Sequence, residues 1–104
     1  MIKQINVFSL KELIDENDIT VIDVREDHEI EICSEKQFIH IKMNEIPNKT
    51  KELDKSLKYA IICHSGIRSN MVCEYMETQG FMVMNVSGGV DEWAIKINPS
   101  LNRY

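Results

Sequence analysis

The sequence has 104 residues, of which 43% are hydrophobic, so we expect a single domain over residues 1–104 with a core of its own. Its formal net charge of -5 argues against nucleic acid as a partner, because nucleic-acid binders usually present a basic surface. No apolar run approaches the ~20 residues that span a bilayer, and the N-terminus lacks the pattern of a secretory signal. We therefore expect a cytoplasmic protein with no membrane partner.

The first half of the chain alternates short apolar runs with helical patterns. Residues 5–9 (INVFS) predict a strand, and Ser9 begins a capping box that predicts a following helix. Residues 19–24 (ITVIDV) are apolar and β-branched, which is typical of a strand buried on both faces. The segment 26–33 (EDHEIEIC) fits a helix start as well as a strand, so its structure stays open. Residues 38–43 (FIHIKM) predict another short strand.

The second half continues the alternation. The polar residues 48–58 (NKTKELDKSLK) predict a loop leading into a short surface helix, and residues 59–63 (YAIIC) predict a buried strand. Residues 68–80 (RSNMVCEYMETQG) predict a helix, and residues 81–86 (FMVMNV) the last strand, before a glycine turn and helix at 88–96 (GGVDEWAIK). The apolar face predicted for the helix at 68–80 consists of Met71, Val72, Tyr75 and Met76. Alternating strands and helices favour an α/β fold with a mostly parallel sheet and helices on both faces.

The chain contains three cysteines, Cys33, Cys63 and Cys73. Their number is odd and no pair has the CxxC spacing of a zinc site, so we predict free thiols and no metal. Cys63 differs from the other two because it stands where a buried strand ends and a loop with one glycine begins. Cys73 falls inside the following helix, where a half-buried structural thiol is favoured over a resolving cysteine, and Cys33 has no comparable context.

The loop after Cys63 favours an anionic sulfur. In parallel sheets, ligands bind beyond the carboxyl ends of the strands, where Cys63 lies. The residues that follow, HSGIRS, must turn sharply into a helix, so the N–H groups of residues 64–68 lack helical partners and can converge on one point. Gly66 permits the turn and Arg68 adds a positive charge. A thiolate at this point would gain nucleophilicity at neutral pH.

Loop length separates two chemistries that use this layout. Cysteine phosphatases place five residues between the cysteine and an arginine, because the loop must enclose a phosphoryl group. Here four residues separate Cys63 from Arg68, and Ser69 occupies the position of the phosphatase arginine. The smaller loop suits a single extra sulfur atom on Cys63, a persulfide, better than a phosphate.

Four segments in the same order resemble the rhodanese family. CHSGIR resembles the family's Cys-x-x-Gly-x-Arg loop, and VIDVREDHE (residues 21–29) resembles its Asp-Val-Arg-Glu strand end. IHIKMNEIP (residues 39–47) and GFMVMNVSGGVDEW (residues 80–93) resemble its central strand and its closing strand with the Gly-Gly turn and tryptophan. The resemblance implies a rhodanese-like fold with a five-stranded parallel sheet and a sulfurtransferase activity.

The resemblance implies roles for particular residues. Cys63 would be the catalytic nucleophile that carries the sulfane sulfur as a persulfide, without a metal or an organic cofactor. Asp23 and Arg25, at the end of a neighbouring strand, would support the site as an ion pair. The substrate-binding residues would be His64, Ser65, Gly66, Ile67 and Arg68. The expected partners are a small sulfur donor, either thiosulfate or a low-molecular-weight persulfide, and a thiol, cyanide or protein acceptor.

The sequence departs from the family's pattern at two places, and two alternative functions stay open. His64 stands where many thiosulfate-using relatives carry Arg or Lys, and a histidine is mostly uncharged at neutral pH, so we expect thiosulfate to be a poor donor. Residues 30–37 also lack the family's Gly-His step, which concerns packing. A cysteine-dependent phosphatase or arsenate reductase is the first alternative. A non-catalytic redox-sensing or binding module on the same fold is the second.

Overall fold

A computed structural model describes residues 1–104 as an open sheet of five parallel strands in the order β1-β5-β4-β2-β3. The strands are β1 (Lys3–Ile5), β2 (Thr20–Asp23), β3 (Ile39–His40), β4 (Lys58–Ile62) and β5 (Met82–Val86). The helices are α1 (Val7–Asp15), α2 (Asp27–Ile32), α3 (Ile46–Lys49), α4 (Ile67–Thr78) and α5 (Gly89–Lys96), with a 3-10 helix at Met43–Glu45. The predicted α/β class and the five-stranded sheet are confirmed, and the sheet is entirely parallel.

The central strand β4 sends alternate side chains to two separate hydrophobic clusters. Ala60 and Ile62 join the cluster that contains α1 and α5 residues, including Trp93. Ile61 and Cys63 join the opposite cluster, which α3 and α4 cover. Because side chains in a strand point to opposite faces in turn, this alternation confirms helices on both faces of the sheet. It also directs Cys63 toward α4.

The N-terminal strand and helix lie earlier in the chain than predicted. The prediction of a strand at 5–9 is wrong, since β1 ends at Ile5 and α1 begins at Val7. Asn6, not Ser9, caps α1: its side-chain oxygen accepts a hydrogen bond from the Ser9 N–H at 2.8 Å.

Two other short segments differ from the prediction in length or position, and the segment that was left open forms a helix. The strand predicted at 38–43 shrinks to Ile39–His40, and the chain turns into the 3-10 helix after Lys42. The short helix expected within 48–58 lies earlier, at Ile46–Lys49, with Pro47 in its first turn, where the missing N–H costs nothing. The ambiguous segment 26–33 forms α2, whose start is fixed by the hydrogen bond from the Glu26 N–H to the Glu29 carboxylate at 3.0 Å.

The helix α4 buries a different face from the one predicted. Its buried residues are Ser69, Val72, Cys73 and Met76, which follow the i, i+3, i+4, i+7 spacing of one helix face. The prediction was right for Val72 and Met76 and wrong for Met71 and Tyr75, which are 55% and 36% exposed. The buried face therefore includes Cys73, and it brings Ser69 toward the end of β4. None of the helices has the length and apolar character needed to cross a membrane.

Candidate active site

Two glycines shape the loop that joins β4 to α4. Gly66 turns the chain with a φ of +103°, and a Cβ there would collide with the carbonyl oxygen of Ser87. Gly89, with a φ of +63°, lets the start of α5 approach the same loop, where a Cβ would collide with the carbonyl oxygen of His64. Both positions need glycine for its left-handed backbone and for the close approach. The loop is thus packed tightly around Cys63.

The sulfur of Cys63 is surrounded by hydrogen-bond donors. Its Sγ accepts the N–H of Gly66 at 3.2 Å and the N–H of Ser69 at 3.3 Å, and it lies 3.3 Å from the Ser69 hydroxyl oxygen. Burial alone would raise the pKa of the Cys63 thiol. Hydrogen bonds from the Ser69 hydroxyl and from the N–H groups of Ser69, Gly66 and Ser65 outweigh it, so the pKa of this thiol is lowered. The site therefore favours a thiolate although Cys63 is only 1% exposed.

The first turn of α4 holds further donors. An α-helix leaves its first N–H groups without intrahelical acceptors, and Ser69 uses its own on the Cys63 sulfur. The N–H groups of Ile67 and Arg68 make no hydrogen bond with any acceptor in the protein. The first turn of α4 thus holds two N–H groups without an acceptor, and unpaired N–H groups at a helix start can bind an anionic atom.

A neutral polar network supports the sulfur from the β5 side. Asn85 is 2% exposed and donates through Nδ2 to the Gly66 carbonyl at 3.0 Å and to the Gln4 side chain at 2.8 Å. Its Oδ1 accepts the Ser69 hydroxyl at 2.5 Å. Because a hydroxyl carries one proton, Ser69 donates it to Asn85 when Cys63 is a neutral thiol and turns it to the sulfur when Cys63 is a thiolate. Asn85 thereby fixes both the loop and the hydroxyl nearest to the sulfur.

An ionic network lies on the opposite side of the loop. Arg68 donates to both carboxylate oxygens of Glu29, at 2.6 and 2.8 Å, in a bidentate pair. Glu29 also accepts the hydroxyl of Tyr104 at 2.8 Å. The hydrogen bonds from Arg68, aided by those from the Glu26 N–H and Tyr104, overcome burial and hold the pKa of Glu29 at about 2. Arg68 is therefore engaged at all physiological pH values.

Asp23 and Arg25 form the ion pair that the sequence suggested. Arg25 Nη2 lies 2.8 Å from Asp23 Oδ2, and both residues are at most 1% exposed. Burial opposes the charge of Arg25, but hydrogen bonds to Asp23 and Tyr104 keep the pKa of Arg25 above its ordinary value. Arg25 also donates to the carbonyl of Cys33 at 2.9 Å and to the Tyr104 hydroxyl at 2.9 Å. The pair thus ties β2, the end of α2 and the C-terminal residues together; its part in function stays a prediction.

His64 and the two other cysteines have different surroundings from Cys63. The His64 ring is half-buried and packs edge-on against Tyr104, with 4.1 Å between ring centroids. Cys73 is fully buried rather than half-buried, and burial raises the pKa of its thiol to about 12. All three cysteines are free thiols, as predicted. No group of three or more His, Cys, Asp or Glu side chains is placed to hold a metal ion.

Sequence reasoning missed four residues that the structure brings to the site. Ser69 was noted only as the occupant of the phosphatase arginine position, although its spacing from Cys63 places it in the first helical turn. Asn85 carried a signal, because it is the one polar residue in the apolar run of β5. Glu29 fell in the ambiguous segment, and no local pattern connects Tyr104 to a loop so far away in the sequence.

The fold and the site together define a class of protein. It is an α/β domain with a cysteine at the carboxyl end of the central parallel strand, and backbone N–H groups donate hydrogen bonds to the sulfur of that cysteine. The family profile described as "Rhodanese-like domain" matches residues 7–96. The chain belongs to the rhodanese-like domain family.

Similar proteins cover nearly the whole chain. YtwF of Bacillus subtilis (strain 168), whose name assigns a sulfurtransferase activity provisionally, is 43% identical over 99 residues, covering 94% of this chain and 96% of its own. The protein named thiosulfate sulfurtransferase GlpE in Coxiella burnetii (strain RSA 331 / Henzerling II) is 30% identical, covering 89% of this chain and 88% of its own. A crystal structure of a rhodanese-like domain protein from Staphylococcus aureus aligns over 99% of both chains, with a TM-score of 0.85 and 31% identity.

Proposed function

We propose that this protein is a sulfurtransferase that moves a sulfane sulfur from a donor to a nucleophilic acceptor through a persulfide on Cys63. The observation that carries the proposal is the set of N–H donors around a buried thiol. Gly66 and Ser69 donate to Sγ, and the N–H groups of Ile67 and Arg68 have no acceptor in the protein. The names of relatives such as YtwF and GlpE support a general sulfurtransferase role.

In the first half-reaction, the Cys63 thiolate attacks the terminal sulfur of the donor. A sulfur–sulfur bond forms on Cys63 while the sulfur–sulfur bond of the donor breaks. The leaving group takes the electron pair and departs as sulfite from thiosulfate, or as a thiolate from a persulfide. The new terminal sulfur is anionic or easily ionised, and the unpaired N–H groups of Ile67 and Arg68 would stabilise its charge.

In the second half-reaction, the acceptor attacks that terminal sulfur. Cyanide would give thiocyanate and a thiol would give a new persulfide, with the Cys63 thiolate as the leaving group in both cases. The lowered pKa of Cys63 helps both steps, because it makes the thiolate available for attack and improves it as a leaving group. No organic cofactor is required, since the sulfur travels on the cysteine.

The phosphatase alternative receives no support from the loop. Ser69, at the position of a phosphatase arginine, is buried and contacts the Cys63 sulfur itself. Arg68 is held by Glu29, so neither residue offers a free guanidinium to a phosphoryl group. We expect negligible hydrolysis of aryl phosphates at neutral pH. A robust turnover that disappears in Cys63→Ser would favour a phosphatase instead.

The redox-sensing alternative depends on a second reactive thiol near Cys63. Cys73 is the nearest candidate in the sequence, but it is fully buried with a pKa raised to about 12, so little of it is thiolate at neutral pH. One thiol with a lowered pKa, without a second reactive thiol, fits a sulfur carrier better than a disulfide switch. We also propose a cytoplasmic location, where thiols stay reduced.

The proposal is tested by thiocyanate formation from cyanide with thiosulfate or glutathione persulfide as donor. Cys63→Ser should abolish the reaction, because a serine hydroxyl can neither ionise usefully nor carry a persulfide. Cys73→Ser is the matched control and should retain most of the activity. Thermal melting of both variants checks that the fold is intact. Activity retained in a folded Cys63→Ser protein would refute the proposed mechanism.

A further inference from the structure

Every arginine of the chain is held in an ion pair with a carboxylate. Arg25 pairs with Asp23, Arg68 with Glu29, and Arg103 with Asp91. Arg68 is the one permanently charged side chain among residues 63–68, and its guanidinium faces both oxygens of Glu29. The loop around Cys63 therefore carries no uncompensated fixed positive charge.

Glu29 is built to keep this pairing. Its side chain is 8% exposed, compared with 34% for Arg68. One carboxylate oxygen also accepts the Glu26 N–H at 3.0 Å and the other accepts the Tyr104 hydroxyl at 2.8 Å. The carboxylate is thus fixed by three partners, while the partly exposed guanidinium of Arg68 has Glu29 as its hydrogen-bond partner. Glu29 therefore balances the charge of Arg68 and holds two of its nitrogens, so an anionic ligand meets a guanidinium that is already paired.

The two donor classes make different demands on such a loop. Thiosulfate is a dianion, so its approach to a thiolate brings like charges together, and its sulfite product leaves with two negative charges. The S–S group of a persulfide carries at most one negative charge, and in the protonated form RSSH it carries none. Its attack by the Cys63 thiolate gives a Cys63 persulfide and one thiolate, with the proton staying on the transferred sulfur. A free cation matters more for the first reaction than for the second.

We propose, on the basis of the sulfurtransferase function above, that Glu29 is a specificity-determining residue. By holding Arg68, it withdraws positive charge from anionic donors such as thiosulfate and favours neutral persulfides as the substrate class. The contrasting interpretation is that the pair only braces α2 against α4. The two interpretations differ in what happens to donor preference when the negative charge of Glu29 is removed.

Glu29→Gln keeps the size of the side chain and an acceptor oxygen but removes the charge. We expect kcat/KM for thiosulfate to rise roughly tenfold, mainly through a lower KM, because Arg68 becomes free to contact the dianion. The kcat/KM for glutathione persulfide should change about twofold or less, so the donor ratio shifts. Glu31→Gln is the matched control: it makes the same charge change on the same helix at an exposed residue and should leave the ratio unchanged.

The double variant Glu29→Gln/Arg68→Gln protects the test against structural effects. The gain with thiosulfate should disappear in it, since the cation that produces the gain is gone. The double variant also has the same net charge as the parent, so its ratio of kcat/KM for the two donors should equal that of the parent, because Arg68 does not serve thiosulfate there. This second result tests the inference even if Glu29→Gln fails to fold.

The outcomes separate this inference from the proposed function. If neither donor transfers sulfur to the parent protein, the sulfurtransferase proposal fails and the inference fails with it. If the parent transfers sulfur but Glu29→Gln leaves the donor ratio unchanged, Glu29 is a brace and only the inference is overturned. A selective loss of thiosulfate activity in the double variant relative to the parent would also overturn it, because Arg68 would then already contact the dianion.

Discussion

Cys63 and Cys73 are two buried thiols in the same hydrophobic cluster, and their pKa values move in opposite directions. They are 1% and 0% exposed, and burial favours the neutral thiol at both positions. At Cys73 burial acts without donors and raises the pKa to about 12. At Cys63 the hydrogen bonds from Ser69, Gly66 and Ser65 outweigh burial and lower the pKa.

The difference follows from where each sulfur meets helix α4. Cys73 lies within the helix, where the backbone N–H groups are used by the helix itself. Cys63 lies just before the first turn, where the N–H groups have no helical acceptors and can point at the sulfur. The position of each cysteine relative to the start of α4, and not its exposure, therefore separates the thiol with the lowered pKa from the thiol with the raised pKa.

The largest expected effect comes from making the surroundings of Cys63 resemble those of Cys73. Gly66→Ala should collide with the Ser87 carbonyl, displace the loop and remove N–H donors from the sulfur, lowering kcat/KM by about 100-fold or more. Gly80→Ala is the matched control, with a similar φ of +92° but only the flexible Lys55 side chain nearby. Both variants should lose about 1 kcal/mol of stability from backbone strain. Steady-state kinetics should separate them, and similar activities would contradict the account.

A smaller effect is expected when one donor is removed. Ser69→Ala deletes the hydroxyl but keeps the N–H that contacts Cys63, so the pKa of Cys63 should rise toward 9.0, the ordinary value. The rate of alkylation by iodoacetamide at neutral pH should fall by roughly tenfold or less, in line with a partial loss of thiolate. The deficit should shrink as the pH approaches 9.0. A rate loss that is independent of pH would mean that Ser69 acts on something other than the pKa.

The opposite shift at Cys73 should be visible in stability. Between pH 9.0 and about 12 an unfolded Cys73 loses its proton while the folded one keeps it. The unfolded state then binds fewer protons, so the free energy of unfolding contributed by this group falls as pH rises, by up to about 1.4 kcal/mol per pH unit. Urea denaturation on either side of pH 9.0 should show a shallower decline in Cys73→Ala than in the parent. Equal slopes in the two proteins would show that Cys73 ionises freely in the folded state.

The smallest effect is expected from adding charge beside Cys63. His64→Arg places a permanent cation next to the thiolate, and we expect kcat/KM for thiosulfate at neutral pH to rise a few-fold. The half-buried His64 ring packs on Tyr104, which limits how directly position 64 meets the donor. A gain comparable to the effect of Gly66→Ala would mean that charge, and not the N–H donors, controls this site.

Local patterns in the sequence were enough for the architecture and for the position of the thiol. The apolar runs that became β2, β4 and β5 have strong β-branched character, and the glycine after Cys63 marks the turn into α4. The predictions of short elements were less accurate. The β3 strand has two residues because pairing to β2 ends where the chain turns, and the start of α1 depends on a side-chain cap at Asn6.

The surroundings of the thiol were harder to predict because they depend on contacts between distant residues. Glu29 reaches Arg68 only once α2 and α4 have packed on the sheet, and Tyr104 joins them from the end of the chain. Arg68 was expected to add a positive charge to the loop, and the structure shows that charge in a bidentate ion pair with Glu29. A motif fixes the residue types in a loop, but tertiary packing decides which of their charges remain available.

The central claim is that Cys63, and not Cys73, carries the sulfur, and mass spectrometry tests it most directly. The purified protein would be incubated with thiosulfate or glutathione persulfide, alkylated to trap persulfides, digested, and analysed peptide by peptide. We expect the mass of one added sulfur atom on the peptide with Cys63, none on the peptides with Cys33 or Cys73, and loss of the modification after addition of cyanide. Added sulfur on Cys73, or its absence from Cys63 with every donor, would contradict the account.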